Sequence, residues 1–568
     1  MNVVIIGAVA LGPKTACRIK RLNPEINVTM IDRDSIVSYG GCGIPYFISG
    51  DVSEATQLQT TSFHMVRDEK FFNKAKDVEV LTRTEAVSIN RKQKTVLIRN
   101  LDTEQERELP YDKLVLATGS TPNRLTIPGS TLKNVFTVAN IHDATHIREL
   151  IAKGKVSKPV VIGAGAIGLE MVEAFSDLWG LDTTLIEVQE QLLPGSISPN
   201  MSKMVKQHLI EKNVEKVFLK ECVQEFGGEG QVEWIKTDKR TIDADLVVMA
   251  VGVRPNTQLA KDADLSISKN GAIKVNKQFQ TTDSNIYAGG DCIENLHLVT
   301  GKPVYFPSGS LANRHGRMIG SNVLGATEEF PGVVTTFILK MFDLAIAATG
   351  ISLDQAQRAG YDVFSTFVVQ GDRAHFFPGM DLMYLEMVVE KESGRVFGVQ
   401  GISGNGDALS ARINAIGTLL QRKTFIKDIS NLELAYAPPF SAAMDIVNAL
   451  GNTAENIIAG KNRVMDIDQF EAVFGGPADQ NYLFLDVRGP ANAKPFVEAY
   501  PGLWLNIPQD ELRDRIDEVP RDKNLVLICN SGVRSYEAQI TLDLMGISTT
   551  KNLQGGVAAI KKSGMKLV

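Results

Sequence analysis

Two stretches of this chain share one layout, and that layout narrows the fold class more than any other feature. Val3–Ile6 is a short apolar, β-branched run followed by Gly7-Ala8-Val9-Ala10-Leu11-Gly12, and Pro13 then sits early in a helix reaching to about Leu22. Asn27–Ile31 reads as the next strand and ends in Asp32. Further on, Val160-Val161-Ile162 leads into Gly163-Ala164-Gly165-Ala166-Ile167-Gly168, then a helix to about Trp179 and a strand Thr183–Ile186 ending in Glu187. Glycines between a strand and a helix let the backbone approach a pyrophosphate at the helix N-terminus, and the acid at the end of the following strand accepts ribose hydroxyls. Only the second turn is a full GxGxxG; Val9 stands where the first would have its second glycine. Either turn alone is a weak signal, but the repeat, each copy with its acid, predicts two dinucleotide-binding βαβ units. Glu187 would repel a 2′-phosphate, and no Arg follows it in Val188-Gln189-Glu190-Gln191. The second unit is therefore expected to take NADH rather than NADPH.

A chain of 568 residues has room for roughly three to four domains of ordinary size. Its hydrophobic content of 44% and charged content of 22% are those of a globular protein. A formal net charge of −6 argues against nucleic acid or an anionic membrane surface as partner. No apolar run is long enough to cross a bilayer, and Met1–Gly7 reads as a first strand rather than a signal peptide. The five cysteines are scattered, form no CxxC or CxxxxC pair, and suit a reducing, cytoplasmic setting. No His/Cys/Asp cluster has metal-ligand spacing, so no metal is expected.

One cysteine stands apart. Ser38-Tyr39-Gly40-Gly41-Cys42-Gly43-Ile44-Pro45-Tyr46 places Cys42 in a glycine-softened loop just before a helix start, with Pro45 suited to the first turn. A thiol at a helix N-terminus feels partial positive charge, so the thiolate of Cys42 is expected to be favoured, as for a redox nucleophile. Leu114–Ser120 and Leu246–Gly252 look like matching strand–turn crossovers between the two nucleotide units. Asn285–Asp291 is a further strand whose terminal Asp291 can hydrogen-bond a ribityl chain.

From residue 1 to about 450 this layout resembles the flavoprotein disulfide reductases with two dinucleotide-binding domains. The resemblance implies FAD on Gly7, Gly12, Asp32 and Asp291, NADH on Gly163, Gly165, Gly168 and Glu187, and further cofactor contacts at Ala117, Thr118, Gly119, Gly252 and Gly290. The segment from Phe330 to about Gly451, with strand-like Val333–Leu339, Leu382–Val389 and Val396–Gly401 and helical Ala408–Leu420 and Ala442–Leu450, corresponds to that family's dimerisation domain and implies a homodimer. Its Ala435-Tyr436-Ala437-Pro438-Pro439-Phe440 string holds Tyr436 in a rigid turn.

Near the C-terminus, the apolar strand Leu525–Ile528 runs straight into Cys529-Asn530-Ser531-Gly532-Val533-Arg534-Ser535, followed by a helix to about Met545. Such a loop turns backbone N–H groups inward as an anion cradle, and Arg534 adds fixed positive charge. It favours a thiolate and a persulfide on Cys529. This segment closely resembles the rhodanese sulfurtransferases, although Tyr500-Pro501-Gly502-Leu503-Trp504 departs from that family's usual residues.

The fold expected is α/β, with two Rossmann-like domains, an α+β dimerisation domain and a C-terminal α/β rhodanese domain. The boundaries are 1–112 with 253–325 for FAD, 113–252 for NADH, 326–451 for dimerisation, a linker over 452–466, and 467–568 for the rhodanese part. A single redox Cys excludes the two-cysteine mode of disulfide reduction. Ala10, where NADH peroxidases and oxidases carry a His, together with the Cys42-Gly43-Ile44-Pro45-Tyr46 and Tyr436–Pro439 strings, is similar to the coenzyme A-disulfide reductases. That resemblance implies coenzyme A as cofactor or substrate, with its phosphates on Arg18, Arg21 and Ser38, although the two arginines also fit an ordinary solvated helix face. Gly41, Phe376-Phe377, Phe440 and Ala166 depart from the pattern and blur substrate preference.

The rhodanese fusion resembles NADH-dependent persulfide and polysulfide reductases. The expected cycle passes electrons from NADH to Cys42, which attacks sulfane sulfur and leads to hydrosulfide release. Cys529 delivers sulfur, and Tyr436 from the partner subunit donates a proton or hydrogen bond. A coenzyme A-disulfide reductase for thiol maintenance and a persulfide carrier or sensor remain the alternatives. Cys17, Cys222 and Cys292 are expected only to pack.

Overall fold

The computed structural model describes residues 1–475 and 481–568. The chain divides into two compact units, one of residues 1–188 with 216–333 and the other of residues 189–215 with 334–568.

The first unit is built twice from one plan. Its first sheet is parallel, in the order Ile286–Ala288, Lys113–Leu116, Asn2–Ile6, Asn27–Ile31, Glu79–Leu81. Its second, also parallel, runs Val135–Phe136, Leu246–Met249, Pro159–Ile162, Thr184–Glu187, Val217–Leu219. Each glycine turn leaves the middle strand of its sheet, where right-handed crossovers place a helix over one face. The duplication also covers an antiparallel three-stranded meander in each half, Thr84–Asn90 with Thr95–Asn100 and Glu106–Pro110, and Val223–Gly227 with Trp234–Thr237 and Thr241–Asp243. The crossovers run side by side, since Ser120–Pro122 pairs antiparallel with Val253–Pro255. Lys113–Leu116 pairs with Asn2–Ile6, so the first sheet extends past residue 112, where the sequence placed a boundary. The hydrophobic run after Tyr111 gives no sign of which sheet it joins; only its register does.

The second unit contains an antiparallel five-stranded sheet in the order Phe337–Met341, Leu344–Gly350, Val396–Ser403, Leu382–Glu390, Val363–Gly371. Helices Gly406–Leu419 and Ile446–Ile458 pack on it. The second of these starts at the N-cap Asp445, whose carboxylate accepts from Val447 N, and not at Ala442. It also runs on through much of the expected linker, because Leu450, Gly451 and Ala454 keep an apolar stripe buried at helical spacing.

The C-terminal sheet of this unit is parallel, in the order Val464–Met465, Thr550–Leu553, Asn524–Ile528, Tyr482–Asp486, Trp504–Asn506. It begins inside the 452–466 stretch, at Val464. Residues 189–215 carry the helix Pro199–Glu211, whose N-cap Ser198 donates to buried Glu386 at 2.5 Å and accepts from Met201 N. Gln400 Nε2 donates to the same carboxylate at 3.0 Å, and Ser198 N donates to Gln400 Oε1 at 2.6 Å. This closed polar set docks the helix on the antiparallel sheet.

Candidate active site

In the first turn Gly7 has φ +109°, and a Cβ there would lie 2.1 Å from the Ala117 carbonyl oxygen; one on Gly12 would lie 1.9 Å from that of Gly7. No side chain fits, so the strand, crossover and helix meet backbone to backbone. Ala8 N donates to Asp32 Oδ2 at 2.7 Å and Asp34 N to Oδ1 at 2.9 Å. Asp32 therefore braces the turn, and burial pushes its carboxyl up. The second turn repeats this: a Cβ on Gly163 would be 2.5 Å from the Ala250 oxygen, one on Gly168 1.9 Å from that of Gly163, and Ala164 N donates to Glu187 Oε2 at 2.7 Å. In front of Gly165, at the N-cap of the helix Ala166–Ser176, the space is open.

At the crossovers Gly119 and Gly252 have positive φ. Thr118 Oγ1 donates to the Asn256 carbonyl at 2.6 Å, so that hydroxyl ties one crossover to the other. Gly290 N donates to His315 Nδ1 at 3.2 Å; the ring is buried and kept neutral, its pKa driven down to about 3. Asp291 is held by Ser120 Oγ on Oδ2 and Ser308 N on Oδ1, each at 3.2 Å.

Cys42 lies in a 3₁₀ turn, Gly41–Gly43, before the short helix Ile44–Ser49, with Pro45 in its first turn as expected. A second, longer helix also reaches it. Gly309 opens the helix Gly309–Asn322, and a Cβ on Gly309 would sit 3.6 Å from Cys42 Sγ. The thiolate expected here is opposed by the protein's own groups. Desolvation pushes the Cys42 thiol up, Glu170 and Asp291 add to this, and the N–H groups of Cys42 and Gly309 pull it down. Cys42 is exposed by area, yet the density of protein around its sulfur makes desolvation the largest effect. Glu170 is itself pushed up to about 7 by burial and by Glu173.

Of the residues proposed for phosphates, Arg18 Nε donates to Ser321 Oγ at 3.0 Å, Arg21 is exposed, and Ser38 is buried against the first turn, its N–H on the Ala8 carbonyl at 2.8 Å. Cys292 is fully buried with Sγ 3.2 Å from the Gly289 carbonyl oxygen, as a packing cysteine should be.

Cys529 ends the strand Asn524–Ile528 and precedes the helix Val533–Leu544. Its sulfur accepts from Gly532 N at 3.1 Å and faces Ser535 Oγ at 3.2 Å. The carbonyls of Cys529 and Asn530 are turned away, accepting from Val557 N and Ala558 N, each at 2.9 Å, at the start of the helix Gly556–Lys562. A Cβ on Gly556 would lie 2.3 Å from the Cys529 oxygen, so only glycine allows that approach. With these carbonyls bonded outward, the loop turns the Gly532 N–H onto the sulfur, the sense expected of an anion cradle. Arg534 lies half-buried in the first turn of the helix. A cavity of about 1030 Å³ fronts the loop, lined among others by Asn530–Val533, Arg488, Tyr536, Lys561 and Lys562.

The family model described as pyridine nucleotide-disulphide oxidoreductase matches residues 1–305, over half the chain. The chain belongs to the pyridine nucleotide-disulphide oxidoreductases. The family's dimerisation domain matches residues 336–447, and a rhodanese-like domain matches residues 472–563. A solved NAD-dependent persulfide reductase from A. fulgidus is 38% identical, with a TM-score of 0.92 over 98% of this chain and all of that one. An NAD(P)H coenzyme A polysulfide/persulfide reductase from Pyrococcus horikoshii is 35% identical over 78% of this chain and 96% of its own. A coenzyme A disulfide reductase from Staphylococcus epidermidis is 29% identical over 80% of this chain and its own full length.

This oxidoreductase belongs to a family that uses FAD and NAD(P)H. Its two turns fit such groups, with backbone floors, an acid at each strand end and open space at Gly165. Gly309 and Glu170 were not read from the sequence. Glu170, an acid inside the apolar run Leu169–Phe175, was the available signal; Gly309 had none. Tyr436, Phe376 and Phe440 lie exposed on the dimerisation domain of the oxidoreductase, at 53%, 68% and 73%. The Tyr436–Phe440 loop is pinned by buried Arg412, which donates to the Phe440 carbonyl at 3.2 Å and to Asp445 at 2.7 Å.

Proposed function

We propose that the enzyme uses NADH to reduce the sulfane sulfur of persulfides and polysulfides, coenzyme A persulfide among them, and works as a homodimer. The observation that carries this reading is the Cys529 loop. A sulfur-holding cradle on the same chain as a reductase with one redox cysteine supplies the substrate that such a reductase would consume.

Bound at Gly7, Gly12, Asp32, Gly290 and Asp291, FAD would supply two-electron transfer between nicotinamide and sulfur; NADH would lie on Gly163, Gly165, Gly168 and Glu187. The Cys42 thiolate attacks the outer sulfur of R–S–SH, giving Cys42–S–SH and R–S⁻. The released thiolate then attacks the inner sulfur, giving Cys42–S–S–R and hydrosulfide. Two electrons from NADH return Cys42 and R–S⁻, so that NADH, H⁺ and R–S–SH become NAD⁺, R–SH and H₂S. The N–H of Gly309, at a helix N-terminus, stabilises charge on Cys42. Glu170 is positioned to exchange a proton near neutral pH, and the partner subunit's Tyr436 donates a proton or hydrogen bond to the leaving sulfur. Cys529 takes sulfane sulfur and passes it to coenzyme A or toward Cys42, with Arg534 as fixed charge. Arg18, Arg21 and Ser38 are the proposed coenzyme A contacts.

Anaerobic NADH oxidation with coenzyme A persulfide, polysulfide and coenzyme A disulfide tests this, for wild type, Cys42→Ser and Cys529→Ser. Persulfide is expected to turn over fastest, Cys42→Ser to abolish hydrosulfide release, and Cys529→Ser to slow only polysulfide. Retained release in Cys42→Ser sinks the reading. The likeness to the Staphylococcus coenzyme A disulfide reductase favours a second reading, thiol maintenance, which predicts that the disulfide wins and Cys529 is irrelevant.

A further inference from the structure

Cys529 Sγ has the Gly532 N–H at 3.1 Å and shares a second hydrogen, that of the Ser535 hydroxyl, with Asn552. Ser535 Oγ lies 3.2 Å from Cys529 Sγ and 2.7 Å from Asn552 Oδ1, and all three side chains are buried. The Asn552 amide has a fixed sense. Its Nδ2 donates to the Gly532 carbonyl at 3.0 Å and to Asn462 Oδ1 at 3.2 Å, which leaves Oδ1 as an acceptor facing Ser535. Asn462 in turn is set by its own N–H on the Asn456 carbonyl at 3.1 Å, just past the helix Ile446–Ile458.

A serine hydroxyl owns one hydrogen. With Cys529 as a thiol, the S–H donates to Ser535 and Ser535 donates to Asn552, so every group is satisfied. With a thiolate, the sulfur and Asn552 Oδ1 compete for that hydrogen: if the sulfur takes it, Asn552 Oδ1 is a buried acceptor without a donor, and if Asn552 keeps it, the thiolate is left with the Gly532 N–H. Once Cys529 carries a sulfane sulfur, the charge rests on the outer atom and Ser535 returns to Asn552.

We infer that Asn552 is a positioning residue for sulfur transfer: by holding the Ser535 hydrogen it disfavours charge on Cys529 Sγ and favours the thiol and the sulfur-loaded form over the bare thiolate. The inference rests on the reading of Cys529 as the sulfur acceptor. In the step concerned, the Cys529 thiolate attacks the outer sulfur of R–S–SH. One S–S bond forms, one breaks with its electron pair leaving on R–S⁻, and Cys529–S–SH results; no oxidant is needed. Asn552 thus raises the driving force of the step from the thiolate while lowering the thiolate fraction.

The other charged and titratable groups around the loop are Arg534, Tyr536 and Glu537 on the following helix, the Asp486–Arg488 pair at the neighbouring strand end, Lys561 and Lys562 on the last helix, and Glu211 on the cavity wall. Arg463, which donates to Thr550 in the same strand as Asn552, is paired with Asp543. All of these persist in the variants below.

The test is alkylation of Cys529 by iodoacetamide in the full-length protein, followed peptide by peptide in a mass spectrometer from about pH 5 to about pH 9, since only the thiolate reacts. In Asn552→Leu the half-maximal pH is expected to fall by about one unit, a roughly tenfold faster reaction on the acid side. Asn552→Asp, which keeps the shape and strengthens the acceptor, moves it up, and Ser535→Ala, which removes the acceptor of the thiol S–H, moves it down. In the Ser535→Ala background Asn552→Leu has no further effect. A fall of equal size in that background, or no opposite movement between the Leu and Asp variants, overturns the inference. Should Asn552→Leu not fold, judged by its melting curve, Asn552→Asp and Ser535→Ala carry the test. Separately, the mass of the Cys529 peptide after polysulfide treatment reads sulfur loading. Its absence in wild type removes the sulfur-acceptor reading, and the alkylation shifts still stand or fall on their own.

Discussion

Asp486 and Arg488 form the most deeply buried ion pair beside the Cys529 cavity, and breaking it from one side should be far worse than removing it whole. Their side chains are 0% and 5% exposed, with Arg488 Nη2 2.6 Å from Asp486 Oδ2. The same carboxylate accepts from Arg488 Nε at 2.9 Å, Arg488 N at 3.0 Å and Trp504 Nε1 at 3.1 Å. The guanidinium lies 4.7 Å from the Phe496 ring centre. Asp486→Ala strands that cation and should cost about 3–5 kcal/mol. Asp486→Leu with Arg488→Met removes both charges and keeps volume, leaving mainly the Trp504 and Arg488 N–H groups without their acceptor, at about 1 kcal/mol each. The double variant should therefore recover about 1–3 kcal/mol of the single variant's loss. In a chain of several domains, one global unfolding free energy is not defined. The measurement is thus amide hydrogen exchange of peptides spanning Tyr482–Asp486 and Trp504–Asn506, whose protection reads local opening. Were the double variant as unprotected as Asp486→Ala, the hydrogen bonds on the carboxylate, and not the stranded charge, would carry the stability.

Gly168→Ala would drive a Cβ to 1.9 Å from the Gly163 carbonyl oxygen; backbone cannot rotate away, so NADH affinity should fall at least about tenfold, checked by titration calorimetry. Glu187→Ala removes the acceptor that braces Ala164 and should raise the KM for NADH more than that for NADPH, narrowing the preference in steady-state kinetics. Glu170 has a folded pKa raised to about 7, so it is neutral below that and adds an opposing charge near Cys42 above it. Glu170→Gln should lower the pH midpoint of Cys42 alkylation by about half a unit. It should also remove a stability loss that the wild type incurs as pH rises from about 4.5 through about 7.

The parts that were legible in the sequence are those whose chemistry is local. Each glycine turn and its acid lie within one strand–turn–helix–strand unit, and the Cys529 loop within one strand–turn–helix, so composition and spacing suffice. The antiparallel meanders escaped because strands such as Glu106–Pro110 are short and largely polar, with no clean alternation. Val464–Met465 looked like linker because a two-residue strand is recognisable only through its partner, Thr550–Leu553. At Cys42 the misjudgement was electrostatic. The helix that follows it is only six residues long, while desolvation weighs most on its protonation and the groups that modify it, Glu170, Asp291 and Gly309, arrive from distant parts of the chain. Asn462 and Asn552 are ordinary amides until the fold sets one against the other.

On the proposed reading, Cys42 and Cys529 would show how one residue type serves two chemistries on one chain. Cys42 is exposed, its sulfur met by the N–H of Gly309 and opposed by two carboxylates, one of which changes charge near neutrality. A sulfur so balanced gains or loses its proton with small changes around it, which suits a nucleophile that must alternate between disulfide and thiolate in every turnover. Cys529 is 1% exposed, and its donors are fixed by the backbone at Gly532 and by a serine committed to an asparagine. That rigidity suits a site that must hold one atom without reducing it. Exchanging the settings would defeat both roles: a buried Cys42 could not admit successive sulfur carriers, and an exposed Cys529 would surrender its sulfur to any passing thiol. On that reading, local structure divides reduction from storage, with the cysteine side chain common to both.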